Sequence, residues 1–316
     1  MASTKTGKRQ PPKPQAPQKR RTNSLLGERR FQLLAAVAIV VVGVIVAFAS
    51  RGDHKTINGQ AVSGLPDTPD YHSLLVSPSN ARTVLLGTHD GLFRSRDGGG
   101  HWARYALAGS DAMNLTRPVA GGVTWIAGHD VFARSSDGGT SWQALNPSGL
   151  PSLDLHGFAV DPKHPATLYA AVAGAGLFRS TNAGASFVQV SAEVGGAVMA
   201  LAVTDGGAIL AGDMQRGLLK SADGGRSWRP ILNAQLAGLA ISPANPKLIL
   251  ATGPGILRST DGGKSWRRVR RVDADAGPVA FAPSNANVSY VVGFDRRLYR
   301  SSDGGASWAS VGGEGR

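Results

Sequence analysis

Apolar residues in this chain come in short runs, each stopped by a glycine, a proline or a charge. Val84-Leu85-Leu86, Leu168-Tyr169-Ala170 and Leu248-Ile249-Leu250 are examples. A few residues later comes a second run ending on a basic side chain: Gly91-Leu92-Phe93-Arg94, Gly176-Leu177-Phe178-Arg179, Gly217-Leu218-Leu219-Lys220 and Gly255-Ile256-Leu257-Arg258. Runs this short, bounded by turn formers and without helical periodicity, predict strands. One segment breaks the pattern. Phe31 to Ala49 carries no charge and is dense in Ala, Val, Ile and Leu, and at about 1.5 Å per residue it is long enough to cross the hydrocarbon core of a bilayer.

Each basic-ended strand runs into an octapeptide that repeats. Full copies are Ser95-Arg96-Asp97-Gly98-Gly99-Gly100-His101-Trp102, Ser135-Ser136-Asp137-Gly138-Gly139-Thr140-Ser141-Trp142 and Ser221-Ala222-Asp223-Gly224-Gly225-Arg226-Ser227-Trp228. Two more are Ser259-Thr260-Asp261-Gly262-Gly263-Lys264-Ser265-Trp266 and Ser301-Ser302-Asp303-Gly304-Gly305-Ala306-Ser307-Trp308, and a worn copy reads Ser180-Thr181-Asn182-Ala183-Gly184-Ala185-Ser186-Phe187. The Asp or Asn positions 97, 137, 182, 223, 261 and 303 are spaced by 40, 45, 41, 38 and 42. Such a period in a strand-rich chain predicts an all-β fold, a six-bladed β-propeller with one four-stranded blade per repeat. The carboxylate can accept backbone N–H groups and the glycines supply positive φ, so the motif is hairpin chemistry. The Trp gives each blade a large plate to bury. Asp97, Asp137, Asn182, Asp223, Asp261 and Asp303, with Trp102, Trp142, Trp228, Trp266 and Trp308, are therefore expected to be structural.

The octapeptide resembles the Asp-box, or BNR repeat, of sialidases, sortilin-type receptors and related propellers, and covers roughly residues 72 to 312. The resemblance implies architecture more than activity, because in that superfamily the Asp-box is a turn remote from the catalytic face. Similar bacterial proteins look like members of a glycosyl hydrolase-like group, whereas sortilin-type receptors and photosystem assembly factors bind peptides or proteins. The sialidase arginine triad and Tyr–Glu pair are not recognisable here. Glu occurs only at 28, 193 and 314, and Thr116-Arg117-Pro118 is a poor echo of the early Arg-Ile-Pro motif.

Charge changes the picture at the N-terminus. The formal net charge is +13, but residues 1–30 hold nine Lys/Arg against Glu28 alone, leaving 25 Lys/Arg against 20 Asp/Glu elsewhere. Residues 1–30 read as a disordered basic cytoplasmic tail, with no nucleic-acid partner expected. Arg29 and Arg30 precede residues 31–50, and Arg51 and Asp53 follow them. The positive-inside rule then predicts a single-pass transmembrane anchor, N-terminus cytoplasmic and propeller extracytoplasmic. Ala47-Phe48-Ala49 before Ser50 offers the alternative, secretion after signal cleavage near Ala49. Residues 51–71 read as a linker that could lend a strand to close the ring, and residues 72–312 as a monomeric propeller. Zero Cys removes disulfides, thiolate metal sites and cysteine nucleophiles.

Strand direction alternates within a blade. The Asp-Gly-Gly hairpins therefore share one face with the turns between strands one and two. Loops between strands two and three, and between blades, share the other, which is where binding specificity is expected. That face is predicted to carry His89-Asp90, His129-Asp130, Asp213 with Arg216, and Asp295-Arg296-Arg297. His72 and His156 stand at the mouth of strand one, and Arg117, Asp154 and Arg267 to Arg271 fall in interblade loops. The ligand-binding candidates are His72, His89, His129, His156, Arg117, Arg216 and Arg296. Imidazoles beside carboxylates can bind a transition metal or exchange protons, and they also make good turns. The sequence alone assigns no metal and no cofactor. Function is expected to be binding or assembly with an extracytoplasmic protein, peptide or glycan. The alternative is a glycoside hydrolase with a carboxylate pair about 5–10 Å apart, drawn from Asp90, Asp130, Asp213 and Asp295.

Overall fold

The structure, a computed structural model, describes residues 61–312 apart from 120–121, 138, 140 and 270–274. The predicted tail (1–30), the predicted anchor (31–50), residues 51–60 of the linker, and Arg270 and Arg271 lie outside the described residues. Among those described, no helix is long and apolar enough to cross a membrane.

The repeats fold as the six antiparallel sheets of a β-propeller, each with its own four strands. In blade one these run outward from the channel as Ser73–Val76, Val84–Thr88, Gly91–Ser95 and His101–Ala106. Val62–Ser63 adds a fifth strand at the outer edge, with Val62 opposite Trp102. The N-terminal approach thus thickens blade one, and the outer strand of blade six, Ala309–Ser310, comes from its own repeat. Among the described residues, no strand is exchanged to close the ring. The other innermost strands are Asn114–Leu115, Leu155–Val160, Val198–Val203, Gly238–Ile241 and Ala276–Ala282, and neighbours pack side by side all the way round. They enclose a channel cavity of about 130 Å³, lined by residues including Leu74, Arg117, Phe158, Leu201, Leu239 and Phe281.

The Asp-Gly-Gly turns show why their residues recur. Ser221 Oγ donates to Asp223 Oδ1 (2.8 Å) and accepts Gly225 N (2.8 Å). Asp223 Oδ1 accepts Ser227 N (3.0 Å) and its Oδ2 accepts Ser227 Oγ (2.6 Å), so one side chain closes the turn from both ends. Gly224 and Gly225 hold φ of 77° and 93°. Trp102, Trp142 and Trp228 donate their indole N–H to the carbonyl of the second glycine. Trp266 and Trp308 pack without such a partner among the described residues. In the worn copy Asn182 Oδ1 still accepts Ser186 N but its Nδ2 donates to Ser186 Oγ, the reverse of the Asp turns; Ala183 is forced to φ of 54° and Phe187 replaces the Trp in the core.

The second glycine also serves the seam between blades. A Cβ on Gly225 would overlap Leu177 of blade three, and one on Gly305 would overlap Leu250 of blade five. Each of these turns docks on the blade before it. Gly99 of blade one meets Leu298 of blade six in the same way, so the ring closes with the lock also seen at Gly225 and Gly305. One core cluster spans this seam, with Leu74, Phe93 and Trp102 from blade one against Ala280, Tyr290 and Leu298 from blade six.

Candidate functional site

Three local features bring side chains of blades one to three to a common edge. The first is the turn between strands two and three. In blade one Thr88 Oγ1 accepts Asp90 N (3.0 Å) and donates to Gly91 O (3.1 Å), which fixes the turn that carries His89. In blade two Asp130 takes φ of 56° after His129, and its N–H donates to Leu153 O (3.2 Å). The second is the entry to strand one, Asp70-Tyr71-His72 and Asp154-Leu155-His156. Here His72 N donates to Gly87 O (2.9 Å) and Asp154 O accepts Ala173 N (2.9 Å). The third is the loop from blade one to blade two, which lies directly on the strand ends. A Cβ at Gly128 would overlap the Asp111 carbonyl, and one at Gly87 the Ala112 carbonyl. Two glycines thus let Asp111 sit between the two histidine turns.

The resulting arc alternates imidazole and carboxylate. His89 has Nε2 2.7 Å from Asp70 Oδ2 and Nδ1 2.8 Å from Asp111 Oδ2. His129 mirrors it, with Nδ1 2.6 Å from the same Asp111 oxygen and Nε2 3.0 Å from Asp154 Oδ1. At the ends, His72 Nε2 lies 3.1 Å from Asp70 Oδ1, and His156 Nε2 lies 3.0 Å from Asp154 Oδ1 and 3.4 Å from His129 Nε2.

Opposite charges stand close together in this arc, but its hydrogen bonding is incomplete. Burial opposes ionisation of Asp111, which is only 9% exposed, yet His129 and His89 outweigh it and hold the carboxyl down at about 2. Burial of Asp70 is likewise outweighed by His72 and His89, and its pKa falls well below the usual carboxylate range. Asp111 and then Asp70 push His89 up to about 10, and Asp111 raises His129. Even so, Asp70 Oδ1, His72 Nε2, both oxygens of Asp111 and Asp154 Oδ1 are buried with no directed hydrogen bond. The nitrogens are near, but their N–H directions miss the oxygens. A buried unmet polar atom costs about 1–3 kcal/mol and is rare in folded proteins. Five of them along one arc point to a group that meets them together. Imidazole nitrogen with carboxylate oxygen is the donor set of a divalent first-row transition ion. Three overlapping groups bring one donor atom per residue within 4.8 Å of one another: Asp70/His72/His89, His89/Asp111/His129 and His129/Asp154/His156.

Elsewhere the predicted residues are placed differently. Asp90 is half-buried and Asp130 exposed, each following its histidine in the turn. Asp213 is buried and turned into its own loop, with Oδ1 accepting Gln215 N (2.8 Å) and Arg216 N (2.9 Å), and Oδ2 accepting Arg216 Nε (3.0 Å). Arg216 also donates to Glu193 O (3.0 Å). Asp295 accepts Arg297 N (3.1 Å) and the Tyr299 hydroxyl (2.5 Å). Arg296 pairs with Asp67 at 2.6 Å and stands over the Tyr71 ring. Arg117 follows the innermost strand of blade two. Its carboxylate neighbour, Asp205 at 3.9 Å, belongs to the turn between strands one and two of blade four, so Arg117 lies toward the Asp-Gly-Gly end of the channel. Sequence reasoning missed Asp70 and Asp111. The usable signal was an Asp two residues before His72 and again before His156, with Asp111 at the same offset before Met113.

No family model matches the chain, and no curated protein matches it. Solved structures do. A nidogen/laminin complex matches with a TM-score of 0.57 at 11% identity, over 72% of this chain and 92% of that one. The GH74 xyloglucanase from Xanthomonas campestris gives 0.54 at 19% identity, over 80% of this chain and 47% of that one. YCF48 bound to D1 peptide gives 0.50 at 17% identity, over 83% and 86%. This chain spans about half the length of the GH74 enzymes it matches. At these identities the likeness shows the β-propeller fold alone, one on which both enzymes and binding proteins are built.

Proposed function

We propose that this protein is a metal-ion-binding propeller that works at the face where blades one to three bring their histidines together. The observation that carries the reading is the set of buried, unmet donor atoms on Asp70, His72, Asp111 and Asp154, with imidazole nitrogens close by. An ion of the zinc type would take nitrogen and oxygen donors at once and offset the three carboxylates. Residues 31–50, acting as a membrane anchor, would hold this face outside the cytoplasm. A protein, peptide or glycan ligand would then meet the ion through a coordination position that the protein leaves open. The Asp-box resemblance is consistent with this architecture and carries no chemistry of its own.

The glycoside-hydrolase alternative needs two opposed carboxyls, one of them pushed up to act as an acid. Asp213 and Asp295 are tied to their own loops, and Asp70 and Asp111 are pushed down. The test uses the full-length protein in detergent, stripped with a chelator and melted with and without Zn²⁺. A ligand at about 100 times its Kd adds roughly 2.7 kcal/mol to stability, so the melting temperature should rise with zinc and fall back with chelator. The His89→Ala/His129→Ala protein should lack the response. Melting curves unchanged by zinc would refute the reading. Turnover of aryl glycosides abolished by Asp90→Asn or Asp130→Asn would establish the hydrolase instead.

A further inference from the structure

We infer that the arc holds two ions, one on Asp70, His72 and His89 and one on His129, Asp154 and His156, with Asp111 shared between the two inner histidines. This rests on the metal-binding reading above and makes it specific. The argument begins with lone pairs. An ion must first displace the second proton that the carboxylates favour on these rings; the neutral imidazole that results carries one hydrogen and one lone pair, so His89 and His129, each a member of two donor groups, can ligate only once apiece. Either a single ion sits in the middle on both Nδ1 atoms and Asp111, or two ions sit outside on both Nε2 atoms.

The unmet atoms choose between these arrangements. Asp70 Oδ1, His72 Nε2 and Asp154 Oδ1 all belong to the outer groups. A middle ion would leave all three orphaned, whereas two outer ions satisfy them. Asp111 Oδ2 is then met as well, while its Oδ1 stays as it is. Both inner rings would carry hydrogen on Nδ1, and those nitrogens stand 2.8 and 2.6 Å from one Asp111 oxygen. A small rotation of each ring gives the carboxylate–histidine–metal arrangement that fixes tautomer and orientation.

His156 supplies an independent mark. Its Nδ1 lies 3.1 Å from the Gly196 carbonyl, which can only accept, so Nδ1 carries a hydrogen and, in the neutral ring that binds an ion, Nε2 holds the lone pair. That lone pair is directed toward the neighbourhood of His129 Nε2, 3.4 Å away. Two nitrogens about 2.0–2.1 Å from one tetrahedral ion sit about 3.3–3.4 Å from each other. With three protein ligands apiece, both ions keep a fourth position for an oxygen ligand.

The test is a Co²⁺ and Zn²⁺ titration of metal-stripped, full-length protein in detergent, followed by equilibrium dialysis and elemental analysis. Two equivalents per chain are expected, with visible absorption of the cobalt form saturating at the second. His72→Ala and His156→Ala should each retain one equivalent, and Asp111→Asn should keep both at about 10–100-fold lower affinity. One equivalent in the unaltered protein would overturn the two-ion inference while leaving the metal-binding reading standing. No retained ion would remove both. The stoichiometry of the unaltered protein decides even if a variant fails to fold.

Discussion

With no strand exchanged among the described residues, side chains at the seam between blades six and one carry the closure of the ring, and Tyr290 is the place to measure it. The residue is 1% exposed, sits in the cluster shared by the two blades, and donates its hydroxyl to the Ala81 carbonyl at 3.0 Å. Tyr290→Phe keeps the ring and removes one hydrogen bond. The expected loss is about 1 kcal/mol, rising toward about 3 if the Ala81 carbonyl stays dry. Tyr290→Ala also opens a cavity beside Trp102 and Leu298, and by analogy with buried aromatic truncations should cost about 3–5 kcal/mol. At roughly 2–4 °C per kcal/mol for a domain of this size, the alanine variant should melt on the order of 6–20 °C lower. Denaturant unfolding followed by tryptophan fluorescence and circular dichroism gives both values. Tyr169 occupies the same rung of blade three, opposite Arg179 as Tyr290 is opposite Arg300, and serves as the control. A Tyr290→Ala cost below about 1 kcal/mol would refute the claim that this seam closes by the common packing lock.

Other consequences are equally direct. Ala183 occupies a left-handed position that glycine fills in the intact repeats. Ala183→Gly should raise stability by about 0.5–1 kcal/mol, the relief of strain less the added freedom of the unfolded chain, and a loss of stability in chemical denaturation would count against the turn assignment. In the Asp-Gly-Gly turns, burial opposes ionisation of Asp303, but Ser307 and Ser301 outweigh it and lower its pKa from 3.8 to about 2. The carboxyls of Asp97, Asp223 and Asp261 are depressed in the same direction. Because these folded-state values are lowered, their stabilisation is fully present above about pH 4 and is lost as pH falls toward 2. An acid-unfolding series complete by pH 5 would contradict that. Gly128→Ala forces the Asp111 carbonyl away from the strand end, so zinc affinity should fall more than global stability does. Unchanged zinc affinity would show that this close approach does not position Asp111.

The blades were legible because the Asp-Gly-Gly turn is local chemistry. Ser221, Asp223 and Ser227 make their bonds within seven residues, and the same bonds recur at Ser301, Asp303 and Ser307. Alternation of strand direction also placed His72, His89, His129 and His156 on one face, with no knowledge of distances. The carboxylates between them were not legible. Asp70 sits in a stretch whose Gly and Pro content reads as linker, and Asp111 lies in an interblade loop with no periodicity to align it. Arg117 was misplaced for a related reason. The innermost strand of blade two is only Asn114–Leu115, and its turn does not follow the proline pattern of Pro78, Pro162, Pro243 and Pro283 in blades one, three, five and six. Whether Asp213 and Asp295 face outward or fold back onto Arg216 and Tyr299 is decided by side-chain rotamers, which no spacing rule reaches.

The central claim, that the histidines and aspartates of blades one to three bind metal, is tested most directly by X-ray absorption at the zinc edge. The sample is the full-length protein loaded with zinc and dialysed. A first shell of nitrogen and oxygen at about 2.0–2.1 Å, with outer-shell scattering from imidazole carbons, is the predicted spectrum. A spectrum of hydrated zinc without imidazole scattering, or no zinc retained after dialysis, would contradict it.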